Sequence, residues 1–370
     1  RNTSDEKDSS YHLHDHGGGV FGSLTAQAAS NVTLYGIIDI GVAVQKAGGQ
    51  DTTVNMKSGT RSGSRWGIKG VEDLGNGYSV GFILEQGFNS DDGAVGNKWK
   101  NKKGEEVAGA FNRESKLYVQ GDFGQIGFGR LGSLAGGAQS NNMLTGWALG
   151  TSYDAGSWTN LAKGNGRLNN AVAYVSPEFA GFKLSAMYSN GTNEDDAKWS
   201  DNIHYYGIGA QYTLGGFKNS LIFEAVDNKG VAATANSNTA YLVNLGLGYD
   251  LGSWTPMFAY QYNWQDEGIK DHVFGLSTAV KVAGGTAKLG ARYLLGKNDG
   301  AAQGAEDKRR AWTLNAAYEY PLSKRTLTYA YAGYADGSKA LKKDVTKAMS
   351  QKDALRYNGF SFAVGVVHSF

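Results

Sequence analysis

The chain of 370 residues contains no cysteine, which excludes a disulfide framework and any metal site built on thiolates. It has only 3 prolines, and so few argue against a disordered, proline-rich chain. Its mean hydropathy is −0.39, and no apolar run reaches the ~18 residues that a transmembrane helix needs. A transmembrane strand is still possible, because it needs only about 9–11 residues with alternate ones apolar. The net charge of +2 is too small to indicate a nucleic-acid partner.

What the chain has is glycine, 54 residues, together with 21 Tyr, 15 Phe and 8 Trp. This composition suits many short strands joined by tight turns. From Asn31 onwards apolar and polar residues alternate: Val32 and Leu34 share one face, and Thr33 and Tyr35 share the other. The same pattern recurs to the C-terminus, and side chains of a strand point alternately to its two faces. Each such segment is therefore predicted to be a strand with one apolar and one polar face.

Three features favour a barrel in a membrane over a soluble sandwich. The polar faces carry Gly, Ser, Asn, Arg, Lys and Glu, as a water-filled lumen requires. Aromatic residues stand near segment ends on the apolar face, as in the interface girdles of outer-membrane barrels; they are Trp254, Trp264, Tyr318, Tyr320, Phe88 and Phe370.

The third feature is that two kinds of connection alternate along the chain. The short kind is turn-like and comprises 74–77, 123–125, 178–181, 214–216, 251–253, 283–285 and 322–324. The long kind is polar and comprises 46–63, 89–111, 133–166, 191–202, 229–238, 265–270, 297–308 and 337–356. Fifteen connections predict an all-β, 16-stranded antiparallel transmembrane barrel, wide enough for an aqueous channel. Both termini then lie on the short-turn side.

Residues 133–166 form the longest stretch without any alternation. A structureless loop of this length is unusual in a compact domain unless it is functional. The sequence therefore predicts that this third outer loop folds inward and narrows the lumen; the alternative is a surface loop over the rim.

Residues 1–30 differ from the rest and are predicted to be a flexible N-terminal extension, added or left by processing, before a single barrel domain over 31–370. They carry His12, His14 and His16, but without a supporting constellation elsewhere we expect no metal site. No catalytic motif and no cofactor site is recognisable either, so the chain is not expected to be an enzyme.

Five blocks resemble the trimeric general porins of the neisserial and β-proteobacterial type: NVTLYGIIDIGV (31–42), SRWGIKGVEDLGNG (64–77), FNRESKLYVQGDFGQIGFGRLG (111–132), NNAVAYVSPEFAGF (169–182) and GFSFAVGVVHSF (359–370). The resemblance covers about 31–370 and implies a non-enzymatic, outer-membrane diffusion channel for small hydrophilic solutes and ions. It also implies a homotrimer surrounded by lipid and lipopolysaccharide, periplasmic termini, a third loop inside the pore, and Phe370 as a signal for the insertion machinery.

Charged residues on the lumen parity are the candidates for a pore constriction. They include Arg65, Lys69, Arg167 and Glu85, and further round Asp39, Glu114, Glu224, Lys281, Lys288, Arg292, Arg309 and Glu319. Arg113 shares the parity of Leu117, which should face outward, but it matches the FNR of the family motif, where basic residues face the loop. We therefore keep Arg113 in the candidate set. Arg130 has the parity of Ile126 and Phe128, so it can face a subunit boundary.

The loop itself contains a single acid, Asp154, and a single base, Lys163. Many general porins set an acidic loop against a basic wall, and here the acidic side is nearly empty. The sequence therefore predicts a modest anion preference. The loop aromatics Trp147, Tyr153 and Trp158 leave open an alternative, a substrate-specific channel for a sugar or organic anion with a saturable site.

Two other expectations concern the outside of the barrel. An adhesin that uses its long loops is a third possible function, and it would have a plugged lumen. For the trimer, we expect contact through the outward faces of strands one to five and sixteen, where Gly36 and Gly70 would allow close approach of neighbouring walls.

Overall fold

The structure is a computed structural model that describes residues 31–370 apart from 97, 102–104, 138, 193–197, 229–237, 302, 304 and 344–354. The N-terminal extension with its three histidines lies outside the described residues. The strands are β1 (Asn31–Ala47), β2 (Thr53–Ser58), β3 (Arg65–Gly75), β4 (Tyr78–Gly87), β5 (Trp99–Lys100), β6 (Glu106–Val107), β7 (Glu114–Gly121), β8 (Gly124–Gly132), β9 (Arg167–Val175), β10 (Phe182–Ser189), β11 (His204–Leu214), β12 (Phe217–Asp227), β13 (Ala240–Tyr249), β14 (Trp254–Gln265), β15 (Ile269–Val282), β16 (Gly285–Asn298), β17 (Lys308–Pro321), β18 (Thr326–Gly337) and β19 (Asn358–Ser369).

Helical segments are few and short in this part of the chain: 3-10 turns at Asp154–Gly156 and Trp199–Asp201, α1 (Trp158–Leu161) and α2 (Lys339–Lys343). No described helix is long and apolar enough to cross a membrane.

The strands close into one antiparallel barrel. Seventeen segments form the sheet, in which strands that follow one another from β3 to β19 pair as neighbours, and β1 pairs with β19 from Ile37↔Ser369 to Ala47↔Gly359. On its other edge β1 pairs with β3 through residues 31–37 and with β2 through residues 40–45. Since β2 and β3 together occupy one place beside β1, the barrel has sixteen strands, as predicted. No barrel edge is left unpaired along the seam, which a lipid environment requires.

The burial pattern is the reverse of that in a soluble protein, with apolar side chains exposed and polar side chains buried. Along β17 the apolar Trp312 and Leu314 are 38% and 53% exposed, while Thr313 and Asn315 are 1% and 5% exposed. This alternation repeats along the longer strands. The apolar residues therefore face outward, and the polar residues face the interior, as in transmembrane barrels.

The predicted alternation of short and long connections is confirmed, with two corrections. Residues 46–63 were expected to be a loop, but β2 lies within them and pairs with β1, because Val54 and Met56 continue the exposed apolar face beside Val42. Residues 265–270 were expected to be a long connection, yet only 266–268 separate β14 from β15. Glu267 closes that turn with a φ of 51°.

Aromatic residues are unevenly distributed around the outside. On β10 to β19 the outer half of the apolar face carries a ring or indole on each strand: Tyr188, Tyr206, Phe223, Tyr241, Trp264, Phe274, Tyr293, Trp312, Tyr334 and Phe360. On β1, β2, β4 and β7 the corresponding positions are aliphatic or polar, for example Val44, Met56, Leu84 and Ser115. Trp66 at the start of β3 and Phe111, with ring centres 6.4 Å apart, are exceptions. The outer aromatic girdle is thus sparser on one side of the barrel.

Candidate pore constriction

A basic cluster lies where β3, β4, β7 and β9 end on the long-loop side. The Nε atom of Arg113 donates to Oε1 of Glu85 at 2.6 Å, and Nε of Arg65 lies 3.4 Å from Oε2 of the same carboxylate. The hydroxyl of Tyr35 also donates to Glu85, at 3.1 Å. Arg167 is near enough to Arg65 and Arg113 to repel both electrostatically. Two guanidinium groups therefore pair with one carboxylate, and a third lies within electrostatic range of it.

Arg113 faces the interior, although it shares the parity of the outward-facing Leu117. It precedes β7 and donates its backbone N–H to the carbonyl of Glu85 at 3.1 Å, while its side chain turns to the interior and is 6% exposed. The strand register begins only at Glu114, opposite Glu85. Since Arg113 stands outside the ladder, alternation does not fix the direction of its side chain.

Two lysines extend the basic side. Lys69 is exposed on the inward parity of β3, with its Nζ 5.3 Å from the ring centre of Tyr35. Lys116 was not among the candidates, although its alternation with the outward-facing Leu117 could have revealed it. It donates to Gln125 at 2.8 Å and to the hydroxyl of Ser140 at 3.1 Å.

Residues 133–166 are bound to inward-facing side chains of the opposite strands, β12 to β17. The backbone N–H of Ala148 donates to Ser277 Oγ at 2.9 Å, and that of Lys163 donates to Gln261 Oε1 at 2.6 Å. The guanidinium of Arg292, itself 2% exposed, donates to three carbonyls of this loop, those of Ala155, Ser157 and Trp158. One buried cation thus binds three backbone carbonyls of the loop, two of which also accept a backbone N–H: Ser157 from Asn160 and Trp158 from Ala162.

The loop aromatics are packed against the wall. Trp147 and Trp158 are 6% and 1% exposed, with ring centres 5.8 Å apart. Gly290 of β16 makes room for them, because a Cβ there would lie 2.4 Å from the Trp147 ring. Tyr153 is fully buried, stacks on Tyr331 at 4.9 Å and donates to Glu319 at 2.6 Å.

The alternative of a sugar-stacking path along these aromatics is wrong for this structure. A sugar needs an open ring face on which to stack, and Trp147, Tyr153 and Trp158 are all buried. Their apolar surface is already covered by the strands and by one another.

The interior acids are engaged in holding backbone and bases in place. Glu224 accepts from the Ala135 N–H at 2.6 Å and from the Tyr205 hydroxyl at 2.7 Å. Glu319 pairs with Lys288 at 2.8 Å and with Arg61 at 3.1 Å. The remaining acids follow the same rule: Asp39 accepts from the backbone of 61–62, Glu114 from Ser140, and Asp271 from Arg309.

Arg61 is a second basic residue that the sequence did not indicate, since it lies in a connection with no periodicity. Of the two charges in the loop, Lys163 is exposed, and Asp154 begins the 3-10 turn Asp154–Gly156, with its side chain outside the described part. Lys281 lies exposed near the short-turn end of β15.

Three outward features complete the placement of the candidates. Arg130 donates to the carbonyl of Asn112 at 2.9 Å and lies 4.4 Å from the Trp99 ring centre. The glycine spaces expected to admit a neighbouring wall are already filled, because a Cβ on Gly36 would meet the Phe370 ring at 2.3 Å and one on Gly70 the Phe82 ring at 2.6 Å.

A closed sheet with an apolar outside and a charged, polar inside defines a transmembrane β-barrel channel. A model of the Gram-negative porin family matches residues 19–340, and the chain belongs to that family. It is therefore an outer-membrane porin, a channel rather than an enzyme by class.

Named relatives agree with this assignment. Outer membrane porin protein 32 of Delftia acidovorans is 29% identical over 316 residues, covering 83% of this chain and 84% of that protein. Major outer membrane protein P.IB of Neisseria meningitidis serogroup B is 28% identical over 337 residues, covering 88% of this chain and 94% of that protein. Among solved structures, an anion-selective porin from Comamonas acidovorans has a TM-score of 0.66 at 25% identity, with 92% of this chain and all of that chain covered.

Proposed function

We propose that the protein is a passive diffusion channel for small hydrophilic solutes with a modest preference for anions. The observation that carries this proposal is the cluster of Arg65, Arg113 and Arg167 near Glu85, with which Arg65 and Arg113 form ion pairs. A low-dielectric wall lined by one sign of charge focuses the field and raises the local concentration of counter-ions. The similarity to a porin described as anion-selective supports the same sign.

The constriction is formed by the loop 133–166 and the basic wall of β3, β4, β7 and β9. On the wall it comprises the predicted residues Arg65, Lys69, Arg113, Arg167 and Glu85, together with Lys116. On the loop it comprises the predicted residues Asp154 and Lys163. The support is that Ala148, Ser157 and Lys163 of the loop are bound to β14–β16, on the side opposite the basic wall, while Ser140 contacts Lys116 of that wall.

The test is the zero-current potential of single channels in a planar bilayer that separates two concentrations of potassium chloride. At ~0.1 M salt the Debye length is ~10 Å, so the field of the cluster is only partly screened. The zero-current potential is expected to have the sign that shows chloride crossing more readily than potassium. A channel that prefers potassium contradicts the proposal.

The assembly is a homotrimer with β1 to β8 and β19 at the contact. Its support is the scarcity of outer aromatics on β1, β2, β4 and β7, since a wall that faces another protein subunit needs no interfacial aromatics. The close approach attributed to Gly36 and Gly70 no longer supports it, because both spaces are filled. Unboiled electrophoresis after gentle extraction is expected to show three chains, and a monomer contradicts the assembly.

Phe370 serves insertion into the outer membrane, where the barrel meets lipid and lipopolysaccharide. It exchanges backbone hydrogen bonds with Gly36 at 3.0 and 3.1 Å and lies at the seam of the barrel. Deleting it is expected to reduce the amount of barrel in the outer membrane while synthesis continues. Unchanged surface assembly of the truncated chain would count against this role.

A further inference from the structure

The loop 133–166 lies along the inner wall as a hairpin. Its outgoing half reaches β11 at Met143, β15 at Ala148 and β17 at Tyr153. Its return half reaches β14 at Lys163 and β12 at Asn165. The chain therefore runs along the same wall twice, first in one direction and then back, and both halves have to be held against it.

Arg292 of β16 is the wall side chain that binds the start of the return half. Its Nη1 atom donates to the carbonyls of Ser157 and Trp158, the latter at 3.2 Å, and its Nη2 atom donates to that of Ala155. The Nε atom donates to Thr313 Oγ1 of β17 at 3.0 Å. One planar group thus binds the loop through its two outer nitrogens and the wall through its inner nitrogen.

Arg292 also contacts the outgoing half. Its guanidinium carbon lies 5.2 Å from the ring centre of Trp147, and a cation over an aromatic face is attracted to the ring. Trp147 in turn packs on Trp158 of the return half. Both rings fill the space over Gly275 of β15, where a Cβ would lie 2.7 Å from Trp158 and 3.1 Å from Trp147. The arginine therefore touches both halves of the hairpin and joins them to the wall.

The charge of Arg292 does not balance a carboxylate. Within the described part of the chain Arg292 forms no ion pair, unlike the interior Arg113 and Arg309. It is 2% exposed, and a buried charge is costly unless it is hydrogen-bonded. Its acceptors are the loop carbonyls and one threonine hydroxyl. This cation is therefore used to bind the loop.

On the neighbouring β14 and β15 the loop is held by neutral hydrogen bonds. Ser277 accepts from the backbone N–H of Ala148 at 2.9 Å, and the Gln261 amide binds the N–H and the carbonyl of Lys163 at 2.6 and 3.0 Å. Hydrogen bonds from a charged donor are roughly twice as strong as neutral ones. Loss of Arg292 is therefore expected to weaken the attachment more than loss of either neighbour.

We propose that Arg292 is the positioning residue of the constriction, which keeps both halves of the loop on the wall and out of the passage. The inference rests on the constriction assigned in the proposed function, and it adds the residue that maintains the width of that constriction. Without the guanidinium the hairpin is expected to leave the wall for short periods and to enter the passage. Its ends stay together, because the N–H of Ser133 donates to the carbonyl of Gly166 at 2.8 Å.

The test records single channels of the full-length protein in a planar bilayer at low voltage. The variants are Arg292→Ala, Arg292→Lys and, as a matched control, Arg310→Ala. Arg310 is an arginine of the neighbouring β17 that lies on the outer face, opposite Leu295. Arg292→Ala is also made in a channel whose residues 136–164 are replaced with a short Gly-Ser bridge.

Arg292→Ala is expected to show frequent partial closures. Each hydrogen bond from a charged donor shifts an equilibrium by roughly ten-fold or more, so the loss of three is expected to raise the time spent in closed levels on the order of a thousand-fold. Arg292→Lys keeps the charge without the planar fork and is expected to lie in between. The control is expected to stay at one level, as in the wild type. In the loop-deleted channel the substitution is expected to have no effect, because no hairpin is left to detach.

A steady current in Arg292→Ala overturns the proposal, and so do equally frequent closures in Arg310→Ala. Closures that persist in the loop-deleted channel also overturn it, since the arginine would then act on the wall itself. If circular dichroism shows that Arg292→Ala forms no barrel, a current in Arg292→Lys as steady as that of the wild type overturns the proposal. The conductance of the loop-deleted channel tests the proposed constriction separately, so the two failures are distinguishable.

Discussion

The two sides of the barrel interior use charge differently. On β12–β18 the buried ions are held by local partners: Glu319 has Lys288 and Arg61, Asp271 has Arg309, and Arg292 has three loop carbonyls. On β3–β9 the guanidinium groups of Arg65 and Arg113 pair with Glu85, and Arg167 lies within electrostatic range of them. Matched charges hold the loop and the wall in place, whereas an excess of one sign produces a field in the passage. The proposed function assigns ion preference to the charges of the β3–β9 side, and the variants below test that assignment.

The largest effect is expected from removing the loop 133–166, which lies between the β3–β9 side and the β12–β18 side. Replacing 136–164 with a short Gly-Ser bridge is expected to raise single-channel conductance several-fold, because the passage then extends to β12–β18. The strand content, measured by circular dichroism, is expected to stay the same. An unchanged conductance would mean that the loop does not limit the passage.

Removing basic charge from the unmatched side is expected to have the next largest effect. Arg65→Ala with Arg167→Ala lowers the positive charge beside Glu85, so the zero-current potential is expected to move towards cation preference. The shift is expected to shrink at 1 M salt, where the Debye length is ~3 Å. Lys297→Ala with Lys308→Ala is the matched control, since it removes two charges outside the lumen; a shift of equal size there would contradict a local field.

Removing the shared acid sharpens the comparison in the opposite direction. Glu85→Gln leaves the guanidinium groups without their carboxylate and is expected to strengthen anion preference. It is also expected to destabilise the barrel by about 3–5 kcal/mol, the usual cost of breaking a buried ion pair from one side. The zero-current potential and the thermal unfolding temperature measure the two effects. An unchanged potential would show that Glu85 does not reduce the field in the passage.

The smallest effect is expected on the matched side. Tyr153→Phe removes one hydrogen bond to Glu319, worth about 1.5–3 kcal/mol for a charged acceptor, while Lys288 and Arg61 still hold that carboxylate. Conductance is therefore expected to change little and the unfolding temperature to fall slightly. A selectivity shift as large as that of the double arginine variant would contradict the division into two sides.

Tyr153 also makes the stability of the folded protein depend on pH. Burial, and after it the neighbouring Glu319, raises the pKa of Tyr153. The proton is thus held more tightly in the folded protein, so this contribution is fully present below the ordinary tyrosine pKa of ~10 and is lost at higher pH. The unfolding temperature of the wild type is expected to fall more steeply above that pH than that of Tyr153→Phe.

Most of the fold could be predicted from local alternation, because the apolar and polar residues of each strand alone show which face points outward. Segment β2 escaped prediction because its pairing with β1 lies within polar, turn-rich sequence. The basic wall was predicted as far as parity reaches, at Arg65 and Arg167. Contacts such as that of Arg61 with Glu319 join residues 258 positions apart, and local periodicity cannot predict them. The hydrogen bonds from Arg292 to the loop could not be predicted for the same reason.

The seam between β1 and β19 determines when folding can finish. Every other neighbouring pair of the barrel joins segments that are close in the chain, but this ladder joins Ile37 to Ser369. Until the last strand arrives, β1 and β18 each present an open edge that can pair with another chain. Ladders between distant residues form slowly, since the entropy of loop closure must be overcome first. The twelve residues of β19 therefore set the period during which the nascent barrel is exposed to aggregation.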